Sequence, residues 1–154
     1  MERARSLLII KYIFIAFSTM LLMISCKISK SIPEGSETVF EEDIIYDNVL
    51  ATSERMHKPV VIDFTATWCG PCKVMDKYVF SDITLTDRMK REFINIRIDV
   101  DNPRYKDLVV IYNASVLPTL VIVDDKGAEL ARRQGSLSIS GVHRFLDEAL
   151  NAFE

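Results

Sequence analysis

The sequence predicts an α/β fold in which a central mixed sheet carries helices on both faces. Three observations lead there. Runs rich in β-branched residues recur at PVVIDF (59–64), FINIRIDV (93–100) and PTLVIVDD (118–125), and nearly continuous apolar runs of that length suit strands buried on both sides. Between them, apolar residues return at helical spacing. Finally, the turn signal DDKG separates the third run from AELARRQ (128–134), so the last two strands close as a hairpin. Strands that alternate with helices and end in a hairpin give a mixed sheet with helices on both sides.

The chain opens with MERARSLLIIK, which carries Arg3, Arg5 and Lys11, and continues into an uncharged apolar stretch from Tyr12 to Ser25. That stretch is shorter than the ~20 apolar residues that span a bilayer comfortably. A positive start, a short apolar run and then small or polar residues read as a secretory signal over 1–25. The stretch ends in Met23-Ile24-Ser25-Cys26, which resembles a loose version of the bacterial lipoprotein signal. The resemblance implies that Cys26 becomes a lipidated N-terminus at a membrane surface, with the rest of the chain outside the cytoplasm. Residues 26–38, polar and containing Pro33 and Gly35, read as a flexible tether. Residues 39–154 are left to form one domain.

Within that domain, Phe40, Ile44, Ile45, Val49 and Leu50 recur among acids, which predicts an amphipathic helix over 39–56. PVVIDF is the first strand. Residues 73–80 read as a helix and 87–92 as a short second helical turn before FINIRIDV. Asp101-Asn102-Pro103 starts the next helix, whose apolar face is Leu108, Val109, Ile111 and Tyr112. After the hairpin, Gly135 and the serines at 136, 138 and 140 lead into a last helix that presents Val142, Phe145, Leu146, Ala149, Leu150 and Phe153.

Composition narrows the function. Net charge is −3 over 154 residues with acids and bases interspersed, so nothing points to a nucleic-acid partner. With Cys26 assigned to the leader, the domain holds only Cys69 and Cys72. Two cysteines separated by two residues close too small a loop to constrain an unfolded chain, so the pair is a poor staple. In TATWCGPCK (65–73) the pair follows a buried strand and opens a helix, the setting a redox CxxC needs. Free N–H groups and the positive end of the helix dipole stabilise a thiolate there. Cys69 is therefore the expected attacking sulfur, its pKa lowered, and Cys72, one turn further in and buried, the resolving one. Gly70 permits the tight entry, and Pro71, lacking an N–H, suits the first turn.

This order of elements, together with TWCGPCK, resembles the thioredoxin fold and the thioredoxin superfamily. The resemblance implies a buried proton acceptor for the inner cysteine at Asp63, six residues before Cys69; desolvation would raise its pKa. It implies a cis-proline loop at Leu117-Pro118 packed against the pair, and a site-flanking role for Trp68. Lys73 adds positive potential beside the thiolate or is a solvated lysine. Arg97 is able to reach the same end of the sheet as Asp63, while His57 and His143 are expected to be structural. The stretch CKVMDKYVFSD (72–82) is closer to the C-terminal thioredoxin-like domain of the membrane thiol:disulfide interchange proteins. Their membrane-spanning electron-transfer domain has no counterpart here, so the resemblance implies a separate electron donor, such as one of those membrane proteins. It also implies protein disulfides as substrates, with the Gly-Pro insert favouring a reductant, and no cofactor beyond the redox-active disulfide.

Two other classes compete. A CxxC half-site for copper or zinc is one, although structural zinc wants four ligands and no second pair or His-rich tract exists. A redox-inactive scaffold is the other, and it has no need of WCGPC, Asp63 and Pro118 together.

Overall fold

The computed structural model describes residues 38–153. The expected leader, Cys26 and all of the tether but Thr38 lie outside the described residues. The elements are α1 (Tyr46–Met56), β1 (Val60–Thr65), α2 (Gly70–Tyr78), α3 (Ile83–Glu92), β2 (Ile94–Asp99), a 3₁₀ turn (Pro103–Tyr105) that runs into α4 (Lys106–Ile111), β3 (Thr119–Val123), β4 (Glu129–Gln134) and α5 (Ile139–Phe153). The strand order is β2-β1-β3-β4. β1 and β2 run parallel, while β3 is antiparallel to both β1 and β4. This is the mixed sheet that the sequence predicts.

Side-chain alternation along the strands divides the core in two. Val61, Leu120 and Ile122 pack with Met75 of α2, Leu85 and Met89 of α3, and Phe145 and Leu146 of α5. Val60, Ile62, Phe64, Ile96 and Ile98 face the other way, against Val49 of α1 and Leu108 of α4. Asp63 has the parity of Val61, and the parallel register pairs it with Arg97 on β2. The fold thus seats two charged side chains side by side on the α2 face of the sheet.

The helix predicted over 39–56 begins only at Tyr46. Val39 and Phe40 belong to the core on the α2 face, whereas Ile44 and Val49 belong to the core on the α1 face. One straight helix cannot serve both layers, so residues 38–45 cross the edge of the sheet in irregular form. Glu41 makes a single parallel bridge to β2 on the way. Elsewhere, helical boundaries move toward their caps. α2 starts at Gly70 rather than 73, because the Cys69 sulfur caps it. α3 starts at Ile83 rather than 87, because Asp82 Oδ1 accepts the Leu85 N–H at 2.8 Å.

Met75 fixes α2 against the sheet. It is 1% exposed, and it is the residue by which the first turn of the helix after the cysteines enters the core. Met75→Ala is expected to lower stability by about 2–4 kcal/mol, the usual cost of emptying a buried methionine site. Urea denaturation of the two proteins measures it.

Candidate active site

β1 ends at Thr65 and a short loop turns the chain into α2, with Cys69 as the N-cap residue. Cys69 has extended backbone angles (φ −73°, ψ 99°), and its Sγ accepts the Cys72 N–H at 3.2 Å. Sequence dictates much of this. Pro71 sits in the first helical turn, where a missing N–H costs nothing, and Cys72 follows one turn after the cap. Both cysteines are buried and joined as a disulfide, and they pack with Ala66, Val100 and Leu117. The Leu117–Pro118 peptide bond is cis. At Gly70 the structure corrects the expectation of a conformational need. Its φ is not in the left-handed region, and a Cβ would meet nothing within 4 Å, so glycine leaves open space beside the disulfide instead of easing a turn.

Trp68 is two-thirds exposed, and its indole N–H donates to Asp101 Oδ2 at 2.6 Å. The ring therefore stands at the rim of the site, tethered to the loop after β2. Lys73 lines, with Cys72, Asp76 and Arg97, a cleft of about 490 Å³ that reaches the inner cysteine.

In β1, two residues before the strand ends and the loop to Cys69 begins, Asp63 is 2% exposed. Arg97 donates to its Oδ2 through Nε at 2.8 Å and through Nη2 at 2.6 Å, and the same Nη2 reaches Asp76 Oδ1 at 2.6 Å. Burial pushes the Asp63 carboxyl up, and the Arg97 charge and hydrogen bond offset only part of this, leaving it at about 6. Burial pulls the Arg97 guanidinium down, but Asp63 and Asp76 outweigh it and the net direction is up. The structure thus brings Asp63, Cys69, Cys72, Lys73, Leu117, Pro118 and Trp68 to one end of the sheet. It also brings in Arg97, which sequence alternation marked only as able to reach, and Asp76 and Asp101, which were missed. Asp76 had a signal: it lies four residues after Cys72, on the same face of the helix. His57 stacks on Phe153 and His143 meets Arg88, away from the cysteines. Among the described residues, no cluster of three His, Cys, Asp or Glu side chains is placed to hold a metal.

The family model of the thioredoxin-like domain matches residues 46–150. This chain belongs to the thioredoxin-like domain family. Thioredoxin H-type of Chlamydomonas reinhardtii is 42% identical over 67 residues, which are 44% of this chain and 57% of that protein. The thiol:disulfide interchange protein DsbD of Photorhabdus laumondii is 30% identical over 79 residues, 51% of this chain but only 14% of its own length. The chain thus spans little more than half of the first thioredoxin and a small part of DsbD. Among solved structures, a poplar thioredoxin h superposes with a TM-score of 0.57 at 26% identity, covering 69% of this chain and 88% of the other. The sequence readings of thioredoxin fold and of likeness to both thioredoxins and the DsbD domain hold.

A thioredoxin-like domain with a carboxyl raised this far carries a pH signature. The native state holds the Asp63 proton more tightly than the unfolded chain does. Between the ordinary value of 3.8 and about 6, the native state therefore binds the extra proton and stability falls as pH rises. Across that window the loss is about 3 kcal/mol. Asp63→Asn should remove this slope and leave the protein more stable than wild type at pH 8. Urea denaturation from pH 4 to 8 tests it: a variant less stable at pH 8, with the slope intact, contradicts the assignment.

Proposed function

We propose that this protein is an extracytoplasmic thiol–disulfide oxidoreductase that reduces protein disulfides and is held at a membrane surface through a lipid on Cys26. The observation that carries the chemistry is the Cys72 amide aimed at Cys69 Sγ at the start of α2. In the reduced protein, that amide and its helix favour the Cys69 thiolate. The thiolate attacks a substrate disulfide. A new S–S bond joins Cys69 to one substrate sulfur, and the other leaves and takes up a proton. Cys72 then gives its proton to Asp63 and attacks Cys69 Sγ, and the second substrate sulfur departs as a thiol. Two electrons pass to the substrate, and the Cys69–Cys72 disulfide of this structure remains. Both Arg97 contacts fall on Asp63 Oδ2, which favours Oδ1 as the proton acceptor in this reading.

The supporting residues follow from their surroundings. The open space at Gly70 admits a second sulfur to Cys69. Trp68 walls one side and Leu117-Pro118 the other, next to the strand-like approach of an extended peptide. Lys73 adds positive charge at the cleft. A separate dithiol protein must return the two electrons, and likeness to a DsbD segment favours a membrane thiol:disulfide interchange protein in that role. Location rests on the sequence of the leader, with Arg3, Arg5 and Lys11 ahead of the apolar run that ends at Cys26.

Trapping tests the reading. Cys72→Ala should accumulate mixed disulfides with its substrates in the cell envelope, visible as reductant-sensitive bands, and Cys69→Ser should lose insulin-disulfide turnover by at least about a hundredfold. A folded Cys72→Ala protein that forms no adduct would overturn it. Cys26→Ser should release the protein from the membrane fraction.

A further inference from the structure

The segment by which the chain enters the domain grips the back of the redox site. Glu41 donates its N–H to the Asn95 carbonyl and accepts the Arg97 N–H, both at 2.9 Å, so the backbone on both sides of Ile96 is fixed from outside the sheet. One residue earlier, the Phe40 ring lies 4.6 Å from Arg97 Cζ, within the range at which a guanidinium is held on an aromatic face. Phe40 is itself 4% exposed and is set edge-on against Phe80, beyond the end of α2, with ring centroids 4.8 Å apart. The Arg97 guanidinium is therefore bounded by Asp63 beneath it, Asp76 of α2 beside it, the Phe40 ring over it and the cleft on its open side.

We propose that this entry segment is a positioning element of the active site, in which Phe40 and Glu41 hold Arg97 against Asp63 and keep water from the guanidinium, so that the segment sets how readily Asp63 takes up a proton. The consequence for the reaction rests on the reading above, in which Asp63 receives the Cys72 proton; the coupling between Phe40 and Asp63 does not. Screening by water sets the strength of the pair. A charge pair at this separation is strong where water is kept out and weak where it enters. Three charged groups face Asp63: Arg97 from β2, Asp76 from α2 and Glu42 from the entry segment itself. Arg97 draws its carboxyl down, and the two acids push it up. Its β3 neighbour in the ladder, Leu120, is uncharged. Arg97 is thus the only group among these that favours the carboxylate, and whatever weakens its hold pushes Asp63 toward the protonated form.

The coupling is measured directly by ¹³C-carboxyl NMR titration of Asp63 in the full-length oxidised chain, where the two cysteines are tied up as a disulfide and do not titrate. Arg97→Gln should move the Asp63 midpoint up by about one unit or more, and Phe40→Ala in the same direction by about half a unit. In the Arg97→Gln background, Phe40→Ala should add almost nothing, because the ring acts through the guanidinium. Phe40→Leu, which keeps the site filled, should give a smaller shift of the same sign and serves if the alanine variant does not fold. A midpoint unchanged by either Phe40 variant, or one that shifts equally with and without Arg97, overturns the proposal. Insulin turnover reads the functional consequence: Phe40→Ala should be about threefold slower than wild type below the Asp63 midpoint and equal to it at pH 9, where Asp63 is ionised in both. A protein that shows the NMR coupling but no Cys69-dependent turnover would contradict the proposed function and leave the coupling standing.

Discussion

The contact between the Cys72 amide and the Cys69 sulfur is the interaction on which the site is built. It exists because three features of the chain coincide. β1 delivers the chain at Thr65 to the edge of the α2 layer, Cys69 takes extended angles and ends the loop, and Pro71 sets the first helical turn. In the disulfide form the donor already faces the sulfur on which the anion forms after reduction. Its size is bounded. A helix N-terminus is worth about 0.3–2 kcal/mol to a nearby anion, and a hydrogen bond to a charged group about 1.5–3 kcal/mol. Burial of Cys69 works against both. At about 1.4 kcal/mol per pKa unit, the favourable side is large enough to carry a thiol from about 8.5 to near neutrality.

The same end of the sheet holds a second, opposing device. Asp63 and Arg97 are neighbours in a parallel ladder on the face covered by α2, a place where the sequence otherwise supplies Val61, Leu120 and Ile122. Desolvating a charge costs several kcal/mol, and an ion pair recovers that only with good geometry. Here Arg97 meets Asp63 with two donors and Asp76 with one of the same two, and still leaves the carboxyl above its ordinary value. An apolar pair at these positions would pack at no such cost. In the proposed reaction, what the carboxyl offers in return is a proton acceptor whose affinity lies near that of the medium, the range in which proton transfer is most effective.

How far the sequence was legible depended on whether the signal was local. The strands were, since β-branched runs buried on both faces announce themselves. The cysteine pair at a helix start was, since its spacing and flanking residues mark that setting on their own. Asp63 was legible as an acid inside an apolar strand. The front of the predicted first helix was not. Phe40, Ile44 and Val49 fit a helical period, yet they serve opposite faces of the sheet, and only the topology reveals that. Arg97 was legible as a possibility, because alternation fixes its face but not its register against β1. Asp76, Phe40 and Asp101 acquire their roles only when α2, the entry segment and the loop after β2 converge. That convergence is a tertiary fact with no counterpart in any short stretch of sequence.

Ionisation of the Cys69 sulfur is read most directly by alkylation kinetics. In the reduced protein, with Cys72 replaced by alanine so that one domain thiol reacts and Cys26 replaced by serine, the rate of iodoacetamide modification is followed from pH 4 to 10. A midpoint at least about one unit below the ~8.5 of free cysteine is the expected result. A midpoint at or above that of free cysteine, in a protein that remains folded, would contradict the account.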